Sequence, residues 1–242
     1  MAETKTTSIT GATITLIAPG GIRTALQQLL PIFERNTGCK VTPTFTSGGA
    51  TKARTADGEM FDVPIIQPPL DSVIASGHVV AASETPIATV SVVMVVAAGI
   101  PKPDISTAAG VKKLLLETQS IAYPSAARGA ACGVSFEATM KKLGIFEAMA
   151  SKIKNSPTGW ESVAMAARGE VAVGVTFASE MDPDDRVQLL GAMPREISTP
   201  TGLVAFVNAQ SKAPEAASSL IRFLTSLEAA TVFTKVGMTP GK

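Results

Sequence analysis

The chain has 242 residues, of which 45% are hydrophobic and 17% charged, with a net charge of +1. That is enough apolar material for one large domain or two lobes, and the composition is not that of a disordered chain. Near-neutral charge, one Trp and one Tyr exclude the basic face and the base-stacking platform of a nucleic-acid binder.

Ala12 to Ala18 reads as a buried strand, followed by the glycine turn Pro19-Gly20-Gly21. Ile22, Ala25, Leu26, Leu29, Leu30 and Phe33 then recur at helical spacing, with Pro31 expected to kink the helix or mark its boundary and Gly38 to cap it. Val41 to Phe45 alternates apolar and polar residues as a short strand. Ser47-Gly48-Gly49 breaks it, and Ala50 to Ala56 resumes as helix with Ser47 as its N-cap. Two successive strand–glycine turn–helix units result. The first N–H groups of a helix lack internal partners and carry partial positive charge, so such a turn suits an anion. In open α/β sheets ligands gather at the carboxyl ends of the strands.

Phe61 to Ile66 is a third strand and Leu70 to Gly77 a short helix; Val79 to Glu84 reads as a surface connection. Thr89 to Ala98 reads as one long strand that crosses to a second lobe. There, Ser106 to Thr118 is helical, Ser120 to Tyr123 a strand, and Pro124 to Gly133 a turn of small residues carrying Arg128. Helices over Val134–Leu143 and Trp160–Arg168, and strands over Val171–Phe177 and Val187–Leu190, complete that lobe. Gly202 to Val207 is the returning strand, followed by helices over Pro214–Leu227 and Glu228–Lys235 that stop at Gly237 and Pro240. The expected architecture is α/β with two lobes, residues 1–90 with 200–242 and residues 91–199, joined by two crossover strands around a ligand cleft.

The longest apolar run, Val90 to Ile100, is too short to span a bilayer, so no membrane insertion is expected. Met1 to Thr7 lacks the apolar stretch of a signal peptide; the expected location is the periplasm if a leader was removed, and otherwise the cytoplasm. Cys39 and Cys132 show no repeated spacing that marks a disulfide, and His78 is the only histidine. No Cys/His cluster or dinucleotide fingerprint is present, so neither metal nor cofactor is expected. Asp182-Pro183-Asp184-Asp185 lacks the remaining ligands of a calcium loop and reads as a solvated turn.

Several stretches together resemble the type 2 periplasmic solute-binding proteins, and within them the molybdate-binding proteins of ABC transporters. These are Leu16–Leu26, Phe33–Val41, Ser47-Gly48-Gly49-Ala50, Gly58–Val63, Gly133–Gly144 and Ala166–Phe177, in the family's order over most of the chain. The resemblance implies a monomer with a small anionic ligand and the membrane subunits of an ABC transporter as partners. It puts the family's ligand positions at Gly21, at Ser47 or Gly48, near Cys132, near Gly159, and at Phe177 where the family has a tyrosine. Most hydroxyls expected around a tetrahedral oxyanion are absent there. The glycines leave room for a larger ligand, and Arg128 can fork two hydrogen bonds to a carboxylate.

The expected site comprises Pro19, Gly20, Gly21, Ser47, Gly48, Gly49, Lys52, Arg128, Ala131, Cys132, Gly133, Ser135, Gly159, Trp160 and Phe177. It suits an organic carboxylate better than molybdate or tungstate. The related aconitate isomerase supplies the alternative, a cofactor-independent shift of a double bond in a tricarboxylate. Its base is left open among Lys52, Glu161 and His78.

Overall fold

In the computed structural model, residues 9–181 and 184–241 are described. Met1–Thr7 and the Asp182-Pro183 part of the acidic turn lie outside them. The chain divides into two compact units, one made of residues up to Ala88 together with those from Gly202 onward, the other of Thr89–Thr201.

The first unit carries a six-stranded sheet. β1 (Thr13–Pro19) is followed by a single turn of 3-10 helix at Gly20–Ile22 and by α1 (Arg23–Thr37). Pro31 lies inside α1 on its exposed side and is not a boundary: the helix runs on to Gly38, whose left-handed backbone closes it. β2 (Lys40–Thr46), α2 (Gly48–Ala56), β3 (Val63–Ile66) and α3 (Asp71–Ala75) follow. The remaining elements are β4 (Thr85–Val90), β10 (Thr201–Ala205), α8 (Pro214–Leu224), α9 (Leu227–Lys235) and β11 (Met238–Pro240). The strand order is β11-β4-β10-β3-β1-β2, with β1 parallel to β2 and β3, and β10 antiparallel to β3. Ile14, Leu16, Ile17, Leu26, Leu29 and Phe33 are buried at the spacing the sequence shows, the period-2 and period-3.6 patterns meeting in one core. At the amino end of β3, Asp62 accepts from Thr15 N at 2.8 Å, Thr15 Oγ1 at 3.0 Å and Ser211 Oγ at 2.6 Å. Val79 is buried and bridges Asn208, so it belongs to the core of this unit and not to a surface connection.

The second unit carries a five-stranded sheet of order β7-β6-β8-β5-β9. Its elements are β5 (Val92–Ala97), α4 (Ala108–Glu117), β6 (Ile121–Pro124), α5 (Ala131–Lys142), α6 (Phe146–Met149), β7 (Ile153–Ser156), α7 (Gly159–Ala167), β8 (Val173–Phe177) and β9 (Val187–Ala192). β6 runs parallel to β7 and β8, while β5 is antiparallel to β8 and β9.

Thr89–Ala98 is therefore not one strand. It breaks at Ser91 because β4 pairs in one sheet and β5 in the other. β7 and β11 escape sequence reading: β7 is a partly exposed edge strand without apolar alternation, and β11 lies between residues that read as helix stops. Cys39 and Cys132 are both buried and unpaired. No helix among the described residues is long and apolar enough to cross a membrane.

Candidate functional site

In the first unit, parallel pairing sets Pro19 against Thr46 at the ends of β1 and β2, so the two glycine turns leave the same edge of the sheet side by side. Ser47 caps α2, its hydroxyl accepting from Ala50 N at 3.2 Å, and it retains a proton to donate outward. Neither the Gly20–Ile22 turn nor α1 has a side-chain cap. Gly48 is buried and Gly49 exposed.

Lys52, one turn into α2, is half-buried and has no ion pair among the described residues. Burial pulls its ammonium below the usual lysine range, and the nearby Asp71 carboxylate pulls it back up in part. Asp71 opens α3 beyond the carboxyl end of β3, which puts Lys52 on the side of the glycine turns. Arg54 does not join it, because its guanidinium is forked by Glu59.

In the second unit the carboxyl ends of β6, β7 and β8 share one edge, and the expected segments follow them. After β6 the chain makes a short 3-10 turn, and Arg128 stands exposed before the left-handed Gly129. Ala131 is half-buried and opens α5 without a side-chain cap. Cys132 is wholly buried, and its thiol is pushed well up by burial and then by the Glu180 carboxylate, so it is a packed side chain and not a nucleophile. Gly133 is fixed by close approach: a Cβ there would lie 1.9 Å from the Pro124 carbonyl oxygen. Ser135 exchanges a hydrogen bond with Thr201 at 3.1 Å. Gly159, capped by Thr158, opens α7; a Cβ on it would meet Thr176 Oγ1 at 2.1 Å and Glu180 Oε2 at 2.3 Å. Trp160 is half-buried, and Phe177 is buried at the end of β8, paired with Val92.

The three base candidates separate. Glu161 is held by Arg168 Nη2 at 2.7 Å, in a fork that Arg168 shares with Glu170. His78 is on the opposite edge of the first sheet from the glycine turns. Its carbonyl accepts from Ala209, next to Asn208, which bonds Asp62 ahead of β3, and its ring packs where a Cβ on Gly58 would be. Lys52 alone of the three stands near a glycine turn.

Three polar residues at these edges were not singled out in the sequence. Gln67, directly after β3, is 5% exposed, and neither its amide nitrogen nor its amide oxygen has a partner among the described residues. Thr176 is wholly buried with an equally unpartnered hydroxyl. Glu180 is a buried carboxylate beside Gly159. The only available signals were a polar residue closing an apolar strand ahead of Pro68-Pro69, and a Thr inside the apolar run from Val171 to Phe177. Among the described residues no group of acidic, His or Cys side chains could hold a metal ion.

The chain is 30% identical over 234 residues to an aconitate isomerase from Pseudomonas sp., covering 94% of this chain and 88% of that protein. Its fold matches the periplasmic molybdate-binding protein of Azotobacter vinelandii, with a TM-score of 0.76 at 16% identity, covering 95% of this chain and all of the other. It also matches the sulfate-binding protein SubI of Mycobacterium tuberculosis, with a TM-score of 0.70 at 20% identity, covering 95% of this chain and 87% of that one. The fold is that of the type 2 periplasmic binding proteins. A model of the family "Bacterial extracellular solute-binding protein" matches residues 14–239, and the chain belongs to that family.

Proposed function

We propose that the protein binds a small organic carboxylate, as an extracytoplasmic solute-binding protein that hands it to the membrane subunits of an ABC transporter. The observation that carries this reading is the edge of the first unit's sheet. Two glycine turns leave it side by side, and the half-buried Lys52 ammonium, which has no ion pair among the described residues, stands on the helix that follows the second of them. Backbone N–H groups at helix starts attract an anion, and Lys52 adds a point charge. In the second unit, Arg128 offers a planar fork from an exposed turn. In the first unit Pro19–Gly21, Ser47–Gly49 and Lys52 are the proposed ligand-binding residues; in the second they are Arg128, Ala131–Gly133, Ser135, Gly159, Trp160 and Phe177.

Thermal shift tests the reading, since a ligand bound at a hundredfold excess over its dissociation constant stabilises the native state by roughly 2.7 kcal/mol. Citrate or an aconitate isomer should raise the melting temperature, and molybdate, tungstate, sulfate and phosphate should not. A shift with molybdate alone overturns the carboxylate assignment.

The relationship to an aconitate isomerase supports a second reading, isomerisation of a tricarboxylate on the same site. A base removes an allylic proton, the double bond moves by one carbon, and a proton returns at the far carbon; no cofactor is needed. Lys52 is the group best placed for it, because burial brings its amine closer to neutrality. Proton NMR of cis-aconitate with the protein in heavy water should then show the trans isomer and solvent deuterium in it, with turnover lost in Lys52→Ala. An unchanged spectrum leaves the binding reading in place and removes this one.

A further inference from the structure

We infer that Gln67 is a ligand-binding residue and that the ligand is a hydroxycarboxylate; this deepens the carboxylate reading and rests on it. β1 and β3 are parallel with Ile17 opposite Pro64, and continuing that register beyond both strands sets Gln67 level with Gly20. Gln67 therefore stands at the same edge as the two glycine turns, between Ile66, which packs into the apolar cluster with Val73, Val204 and Phe206, and Pro68. Gly202, at the start of β10, closes over Pro68, a Cβ there falling 3.4 Å from Pro68 Cγ.

Within this setting both polar atoms of the Gln67 side chain are shut off from solvent and bonded to nothing among the described residues. Such a group costs the folded state its full desolvation and normally finds a partner. Its place beside an anion-attracting edge makes a bound ligand that partner. Whichever way the amide is turned, one of its atoms donates and the other accepts. A fully deprotonated oxyanion such as molybdate or sulfate offers acceptors only, and would leave the amide oxygen facing negative charge. A carboxylate oxygen for the NH2 group and a hydroxyl for the carbonyl satisfy both atoms, which is the pattern of a hydroxycarboxylate.

Citrate and tricarballylate differ by one hydroxyl and serve as the probes. Calorimetric titration of the native chain should show citrate binding at least tenfold more tightly than tricarballylate. Gln67→Met, of similar length and without hydrogen bonds, should bring the two to within about threefold of each other by weakening citrate. The ligand-free Gln67→Met protein should melt several degrees higher than the native one, because an unpartnered amide has been replaced by apolar atoms. A lower melting temperature means that Gln67 has a structural partner and overturns the inference. Equal affinity of the native chain for the two probes, or an unchanged preference in Gln67→Met, overturns it also while leaving carboxylate binding intact. If neither probe nor an aconitate isomer binds the native chain, the carboxylate reading itself has failed, and the inference with it.

Discussion

Substituting Gly133 by alanine adds a single methyl group at a place where the backbone leaves no room for it. The new Cβ would lie 1.9 Å from the Pro124 oxygen and 2.9 Å from the Ala126 nitrogen, whereas ordinary contact begins near 3.4 Å. The shortfall against the oxygen is about 1.5 Å, and both obstacles are main chain. Pro124 ends β6 and is held in register with Ser156 of β7, so it cannot retreat without loosening the ladder. α5 can shift instead, but Cys132, Phe136 and Met140 on its buried face are closely packed. Overpacking of this kind costs typically 1–3 kcal/mol, and an obstruction that is all backbone belongs at or above the top of that range, about 3 kcal/mol. For a chain of this size that corresponds to a fall in Tm of roughly 6–12 °C. The same shift displaces the turn bearing Arg128, so citrate affinity should fall as well. Differential scanning calorimetry measures the first effect, and hydrogen exchange should show faster exchange in α5 and β6 while β1 and β2 stay protected. A variant that melts within a degree of the native chain would refute the packing argument.

Arg128→Ala should weaken binding of citrate roughly ten- to hundredfold by titration calorimetry, since a charge-assisted pair is worth about 1.5–3 kcal/mol, with Tm in the absence of ligand unchanged because the side chain is exposed. Thr176→Val should raise the ligand-free stability by about 1 kcal/mol in chemical denaturation, because it removes a buried hydroxyl that has no partner among the described residues and keeps the shape; a loss of stability would show that the hydroxyl is satisfied. The folded pKa of Lys52 is lowered from 10.5, so in the window below that value the unfolded chain holds more protons and stability rises with pH. Carboxylate affinity should fall over the same window as the ammonium is lost, and in Lys52→Met it should be weak and flat with pH.

What the sequence determined was local. The strand–glycine turn–helix repeats, Ser47 as a cap and the apolar face of α1 follow from spacing alone, because backbone geometry sets the periods of 2 and 3.6 and glycine marks the turns. The pairing of Glu161 with Arg168 was legible in principle, since seven residues are two turns of helix, and it takes Glu161 away from base chemistry. The break at Ser91 was not legible, because an apolar run reads the same whether one sheet or two take up its hydrogen bonds. His78 and Lys52 were equal candidates in the sequence; only the antiparallel return of β10 puts His78 at the far edge of the sheet, and only burial distinguishes the Lys52 amine. Gln67 and Thr176 carry the same lesson. Their residue types were always visible, but whether a polar atom is left without a partner is a property of everything packed around it, and the tertiary structure alone decides that.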